Sequence, residues 1–334
     1  MALSPRRLPF VSVCFMSVCF MTVSYFMGVP PAMARTGESG GARRVTAVAN
    51  ATVRSAPSAD AAVVAQLPLG TEVQESGPSG LDKTWVLVRL DDAREGWLQT
   101  RLSRPLDPVW RSETYDAIIT ERLGRKGDGF SATVELVSFI ERVAPEYGDP
   151  DSRASVELAR LRALSRAAAT VPFNGAKRAP YQSWLAARQH ELVYDEPGGR
   201  WMVRNPAIWQ VHAKYRHTPA GDDLAWFAAT TGLAGECEGF VACYFASQNA
   251  LHGEYLRAHP FGRHAGEAVA AVNATLEAVW SGGQFTKLYY FDRKDDCQQL
   301  TTAVDGLLSA IQTAKAAGWE SAVANLSAVR KQCP

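Results

Sequence analysis

Four cysteines beyond the N-terminal region could form covalent cross-links, and they are Cys237, Cys243, Cys297 and Cys333. An even number of cysteines in an exported chain predicts two disulfides, for which four residues allow three connectivities. Sequence order favours Cys237–Cys243 and Cys297–Cys333. On one continuous helix the Cα atoms of the first pair would lie about 9 Å apart, whereas a disulfide needs less than about 7 Å. We therefore expect a turn or a helix start between them.

The residues around Cys237 also resemble a catalytic motif. Residues 236–241, Glu-Cys-Glu-Gly-Phe-Val, are similar to the D-C-S-G-F-V nucleophile motif of NlpC-type cell-wall cysteine peptidases. In those enzymes the cysteine opens a helix, which lowers the thiol pKa, and a histidine acts as base. The resemblance would make Cys237 the nucleophile, although Glu238 replaces the motif's serine. Because paired cysteines of exported proteins are usually oxidised, a disulfide is favoured and the peptidase is the alternative.

Two histidines could contribute to a metal site. His259 and His264 flank a turn, and Glu254 and Glu267 stand nearby in the sequence. Imidazole and carboxylate groups together can bind zinc, but such residues more often cap helices or face solvent. We predict neither a metal nor another cofactor.

Three carboxylates crowd a predicted β-hairpin, namely Glu191, Asp195 and Glu196. Paired carboxylates can hydrolyse glycosidic bonds. Their alternating positions along a strand predict mostly a solvated face instead. We therefore do not assign them a catalytic role.

The first 34 residues have the features of a signal peptide. Arg6 and Arg7 precede an uncharged run at 8–29, and Ala32-Met33-Ala34 gives the small-residue pattern of a signal peptidase site. We predict cleavage after Ala34 and a flexible linker at 35–43. An uncleaved anchor is the alternative, because about 20 apolar residues span a bilayer. The mature protein is expected in the periplasm or cell envelope, in contact with the membrane only if the signal is retained.

Short strands separated by turns are predicted in residues 44–106. Residues 45–48, 63–65, 72–74 and 85–90 are β-branched or alternate in polarity, and clusters of Pro, Gly, Ser and Asp lie between them. About five or six short strands in a segment of this length predict a small β-barrel.

This segment resembles the bacterial SH3-like domains. Residues 53–58 are similar to their N-V-R-S-G-P-S opening, and residues 64–73 to their V-I-G-x-L-x-x-G-x-x-V stretch. Trp85 with Val88 matches W-x-x-V, and Gly96-Trp97-Leu98 matches the closing G-W-V. The resemblance implies a binding domain without catalysis of its own, often for cell-wall peptide or glycan.

Three residues of this segment are candidates for ligand contact: Trp85, Arg89 and Trp97. Val86, Val88 and Leu90 share one face of their strand and are expected to fill the barrel. Trp85 and Arg89 then share the opposite face, where Trp85 could lie in a groove. Alternatively, Trp85 and Trp97 cap the small core.

Residues 107–334 are predicted to form a mainly α-helical domain of unknown function with one β-hairpin. Helices are expected at about 107–123, 131–143, 151–169, 219–232, 238–257, 264–280, 297–316 and 319–331, and another opens at Asn205-Pro206. Residues 191–195 and 200–203 flank Glu196-Pro197-Gly198-Gly199, which is a hairpin signature. The junction at 255–268 resembles that of tetratricopeptide-like helical hairpins of envelope proteins, without their regular repeat.

The composition is that of an ordinary folded protein, with 47% hydrophobic and 21% charged residues. The net charge of +1 offers no basic surface for nucleic acid. We interpret the chain as an α+β multidomain protein, a small SH3-like β-barrel followed by a mainly helical domain. The expected function is that of a non-enzymatic envelope protein. Its barrel would bind cell-wall peptide or glycan, or an envelope protein, and its helical domain would be an interaction scaffold.

Overall fold

Seven short strands follow the start of the part that the computed structural model describes, which is residues 41–77 and 83–333. They are β1 (Arg43–Thr46), β2 (Ala51–Arg54), β3 (Val63–Leu67), β4 (Glu72–Glu75), β5 (Trp85–Arg89), β6 (Glu95–Gln99) and β7 (Ser103–Leu106). All pairings between them are antiparallel, in the order β3-β2-β6-β5-β4-β1-β7. The predicted signal peptide lies outside the described residues.

The sheet does not close into the expected barrel. Among the described residues, β3 and β7 end the hydrogen-bonded order and do not pair with each other. The chain turns from β7 directly into helix α1 (Arg111–Gly124), and β7 contacts that helix. Arg104 of β7 forms an ion pair with Glu121 of α1 at 2.7 Å. The prediction of a closed barrel is therefore corrected to an open seven-stranded sheet.

The alternation along β5 produces the predicted inner face. Val86, Val88 and Leu90 are all buried. They share a hydrophobic core with five residues from the other strands and their connections, namely Ala51, Val53, Leu67, Val73 and Leu98. Burying β-branched and leucine side chains of this kind stabilises each by about 1.5–3 kcal/mol.

Helices dominate the rest of the chain. After α1 come α2 (Phe130–Val143), α3 (Pro150–Ala169), α4 (Tyr181–Ala187), α5 (Asn205–Tyr215), α6 (Pro219–Thr231), α7 (Val241–Gln248), α8 (Glu254–Ala258), α9 (Ala265–Val279), α10 (Arg293–Ala314) and α11 (Trp319–Arg330). The predicted hairpin is confirmed as β8 (Leu192–Asp195) and β9 (Arg200–Val203), and a second small hairpin pairs β10 (Trp280–Ser281) with β11 (Gln284–Phe285). None of the helices in the described part of the chain is long and apolar enough to span a membrane.

The helix expected at 238–257 is divided into three parts. Glu238 and Gly239 have positive φ angles of 47° and 87°, so the chain is left-handed there and the helix cannot include them; α7 begins at Val241. After α7 the backbone passes through a π-helical segment, Asn249–Gly253, before α8. Helices α8 and α9 contact each other across the 259–264 turn.

Beside the sheet's own core, a second hydrophobic cluster joins the strand region to the first helices. Val45, Leu69 and Leu106 of the strand region belong to the same buried cluster as residues of α1, α2 and α3. A Cβ on Gly70 would overlap the ring of Phe139 in α2, which shows how closely that turn approaches the helix. Arg142 of α2 donates a hydrogen bond to the carbonyl of Leu69 at 2.6 Å. Residues 41–334 accordingly form one compact unit.

Candidate functional site

A small polar cleft of about 300 Å³ lies on the seven-stranded sheet. It is lined by Arg43, Glu72, Val73, Gln74, Arg89, Leu90, Asp91 and Ala93. Its centre is a cross-strand row, because Gln74 of β4 stands opposite Arg43 of β1 on one side and Arg89 of β5 on the other. Side chains directly opposite each other in antiparallel strands share a face about 5 Å apart. Two guanidinium groups therefore flank one amide.

The arginines of this row are only loosely engaged. The Arg43 side chain is 60% exposed and lies 3.4 Å from Glu72 Oε2. The Arg89 side chain is 54% exposed and pairs with Glu95 at 2.8 Å. Exposed pairs of this kind contribute about 0–1 kcal/mol, so a ligand carboxylate can compete with them.

Glu72 is held much more firmly, by the helix side of the cleft. Arg111 and Tyr115 of α1 both donate hydrogen bonds to its Oε1 atom. Burial disfavours the charged carboxylate, but these hydrogen bonds outweigh it and lower the pKa of Glu72. Glu72 is therefore an ionised residue in the wall of the cleft, and hydrogen bonds link it to α1.

The three residues proposed from the sequence are not gathered at this cleft. Arg89 lines it, whereas Trp85 is buried with 7% exposure and Trp97 is half-buried opposite Leu87 on the outer face. Neither tryptophan is among the described residues that line the cleft. Sequence reasoning missed Arg43 and Gln74, because their position beside Arg89 depends on strand register rather than on any local motif.

The cysteines are joined as sequence order favoured. Cys237–Cys243 and Cys297–Cys333 are disulfides, each with Cα atoms 5.4 Å apart. Helix α7 starts between the first two cysteines, as their spacing requires. The Sγ atom of Cys237 lies 3.9 Å from the Ser247 hydroxyl.

The cleft beside Cys237 lacks the second part of a cysteine-peptidase site. No histidine is found among the described residues that line it. The oxidised sulfur also cannot act as a thiolate unless the disulfide is first reduced. The geometry thus disfavours the nucleophile that the motif resemblance implied.

His259 and His264 face different partners. The Nε2 atom of His259 lies 2.8 Å from that of His212. His264 lies between Asp223 and Glu267 and stacks on Trp226 with ring centroids 4.8 Å apart. Within residues 41–77 and 83–333, no group of three His, Cys, Asp or Glu side chains could hold a metal ion.

Of the three hairpin carboxylates, Glu196 is exposed as alternation predicted, whereas Glu191 and Asp195 are not. Glu191 accepts hydrogen bonds from Arg160 and Arg188, and these arginines lower its pKa although burial opposes the charge. Asp195 is buried, and its Oδ1 accepts a hydrogen bond from the backbone amide of Gly235. The expectation was wrong for Glu191 because helix α3 packs against the hairpin and brings Arg160 to it.

Comparison with known families identifies the sheet. The family model of the bacterial SH3 domain matches residues 49–103, inside the 44–106 segment that carries the sequence resemblance. The match includes Glu72, Gln74 and Arg89 of the cleft, whereas Arg43 precedes it. No curated protein matches the chain. From the strand pattern, the motifs and the family match together, the chain carries a bacterial SH3 domain at residues 49–103.

Proposed function

We propose that this protein is an exported, non-enzymatic envelope protein that binds cell-wall material through the cleft of its SH3 domain. The observation that carries the proposal is the Arg43–Gln74–Arg89 row, two of whose residues lie in a bacterial SH3 domain, a family that suggests binding of cell-wall material or proteins. The helical part is proposed to be an interaction scaffold. A protein partner in the envelope is the alternative ligand of the same cleft.

The chemistry of the row suits a peptide that carries carboxylates. Guanidinium groups bind carboxylates through paired, charge-assisted hydrogen bonds. The amide of Gln74 can donate to and accept from a peptide bond. Glu72 and Asp91 supply negative charge for an amino group on the same ligand. Cell-wall stem peptides combine carboxylates, amides and amino groups in this way.

Of the two tryptophans, only Trp97 remains a candidate contact, and it lies outside the lining of the cleft. Trp97 is half-buried on the outer face of β6 and can offer part of its ring to a ligand. Trp85 is largely covered, so we expect its replacement to act mainly through the packing of the sheet.

Binding is tested by co-sedimentation of the mature chain, residues 35–334, with isolated peptidoglycan sacculi. Arg89→Ala is expected to weaken binding to the sacculi by about tenfold or more, because a charge-assisted hydrogen bond contributes about 1.5 kcal/mol or more. Arg101→Ala is the matched control, since Arg101 is exposed and its side chain bonds Gln99.

The outcomes separate the proposal from its alternatives. Sedimentation that Arg89→Ala weakens and Arg101→Ala leaves unchanged supports binding at the cleft. Absence of sedimentation would exclude the wall and leave the envelope protein partner. Release of muropeptides that stops with Cys237→Ser would instead establish the cysteine peptidase and refute the non-enzymatic function.

A further inference from the structure

A second groove lies in the helical part, between α7, the π-helical segment and α10. It consists of two adjoining clefts of about 660 and 420 Å³ that share Ala246 and Gln299. The first is bounded by the 233–237 loop and the Cys237–Cys243 disulfide, and the second runs along α10. Together they have the size of a site for a ligand of several linked units.

One wall of the groove is a polar stripe on α10. Asp295, Gln298, Gln299 and Thr302 are spaced i, i+3, i+4 and i+7, which places them on one helix face. The side-chain amides of Gln298 and Gln299 have no hydrogen-bond partner within the described part of the chain. They therefore present donors and acceptors to whatever occupies the groove.

The opposite wall is lined by small residues and one ring. Ala246, Ser247 and Ala250 leave the space between the helices open. The ring of Tyr244 lies at the same wall and is held edge-on by Tyr289, with centroids 5.2 Å apart. The wall thus combines an aromatic ring and methyl groups with a hydroxyl.

The base of the groove is a fixed structure rather than a loose surface. Asn249 begins the π-helical segment and accepts hydrogen bonds from Arg257 at both its side-chain and its backbone oxygen, each 2.9 Å long. A Cβ on Gly306 would lie 2.6 Å from Asn249 Oδ1, and one on Gly253 would lie 2.9 Å from it. Because Gly306 and Gly253 have no side chains, the Asn249 amide can occupy this space. Single π-helical turns occur frequently at functional sites.

The charge of the lining restricts the ligand. Among the described residues that line the two clefts, Glu236 and Asp295 are the charged ones, and both are acidic. Arg257, which hydrogen-bonds Asn249 at the base, is itself paired with Glu254 at 2.9 Å, so a carboxylate-rich peptide or a phosphate is disfavoured. Neutral amides and hydroxyls beside methyl groups and one aromatic ring match a ligand with many hydroxyls and apolar C–H faces.

We propose that this groove binds a neutral oligosaccharide. Sugar hydroxyls both donate and accept hydrogen bonds, as the amides of Gln298, Gln299 and Asn249 do, and the sugar C–H face can lie on Tyr244. This groove is lined by different residues from the SH3 cleft and would bind a different class of ligand. The proposal for the groove does not depend on whether the SH3 cleft binds wall peptide.

The test is isothermal titration of the mature chain, residues 35–334, with chitotetraose, a neutral soluble oligosaccharide. Gln299→Ala is expected to raise the Kd by about fivefold, because hydrogen bonds from an amide shared by both clefts are lost. Gln312→Ala is the matched control on the same helix, since Gln312 is exposed and lies outside both clefts. Circular dichroism verifies that each variant is folded.

Three outcomes would overturn the proposal. These are no binding heat with the unsubstituted chain, an equal loss in Gln299→Ala and Gln312→Ala, and binding that depends on Arg89 rather than on Gln299. Binding of an uncharged alanine-rich peptide in place of the sugar would show that the groove takes extended polypeptide instead. Because the sugar is titrated without sacculi, failure here leaves the wall-binding test of the SH3 cleft unaffected.

Discussion

The Nε2 atoms of His212 and His259 lie 2.8 Å apart, so the two rings share a hydrogen bond that requires at least one of these nitrogens to be unprotonated. His212 is on α5 and only 7% exposed, while His259 follows α8. Burial, and then the neighbouring His259, lowers the pKa of His212 to about 4, and burial also lowers the pKa of His259. The surrounding charges are Glu254 and Asp222, which favour the protonated form, and Arg216, which opposes it.

We predict that folding stability falls as the pH drops from about 6.5 to about 4. In this range the unfolded chain protonates its histidines near their ordinary pKa of 6.5, whereas folded His212 stays neutral until about 4. The unfolded state then binds more protons, so stability is complete above pH 6.5 and is lost as the pH falls. Over this pH range His212 alone lowers the free energy of unfolding by about 3 kcal/mol. Urea unfolding at several pH values measures this loss.

His212→Gln should make this dependence shallower, whatever it does to stability at neutral pH, and the remainder belongs to His259 and His252, whose pKa values burial also lowers. His190→Gln is the matched control, because the His190 side chain is 73% exposed, and its slope should equal that of the unsubstituted protein. An unchanged pH slope in His212→Gln would contradict the assignment.

Gly70→Ala is predicted to destabilise the protein more than Gly127→Ala. Both glycines have positive φ angles, 73° and 81°, so alanine costs each about 1 kcal/mol in backbone strain. The new methyl group at 70 would also collide with Phe139, whereas nothing lies within 4 Å of one at 127. Overpacking adds about 1–3 kcal/mol. Urea unfolding measures the difference, and equal losses would show that the turn does not pack on α2.

The two disulfides are predicted to stabilise the fold unequally. Cys297–Cys333 closes a loop with a sequence separation of 36, and Cys237–Cys243 one of 6. The loop-entropy relation then gives losses of about 4 and about 2 kcal/mol on replacement by paired serines. Denaturant unfolding of the two double variants tests this order, and a reversal would mean that native contacts rather than chain entropy dominate.

The sheet and the helices are predicted to unfold together. Leu69 and Leu106 of the strand region are buried in the cluster that also holds the centres of α2 and α3, so opening either part exposes the other. Hydrogen exchange with mass detection should give peptides from β5 and α3 the same denaturant midpoint. Separate midpoints would show that the SH3 domain unfolds as an independent unit.

Features set by local pattern could be predicted from the sequence. The β8–β9 hairpin follows from turn residues between alternating strands, and the buried face of Val86, Val88 and Leu90 follows from the period of two along β5. The disulfide pairing agrees with sequence order. Cys237 and Cys243 lie on either side of the start of α7, and the second disulfide joins Cys297 of α10 to Cys333, just beyond α11.

Features that depend on tertiary packing could not be predicted from the sequence. Arg43 and Arg89 meet across Gln74 only through the register of three strands. Likewise, His212 reaches His259 from 47 positions away in the sequence. The division of the 238–257 helix depends on two left-handed residues and on the space that Gly306 of α10 leaves for Asn249, and neither has a sequence period.

The packing of the Leu69–Gly70 turn against α2 has a consequence for avidity. A domain on a flexible tether can search for its ligand over a range of distances, but a domain packed against its neighbour through a common buried cluster cannot. If the SH3 cleft and the helical groove both bind one polymer, their separation is fixed by the fold. Such a protein would respond to the spacing of groups along that polymer and act as a molecular ruler.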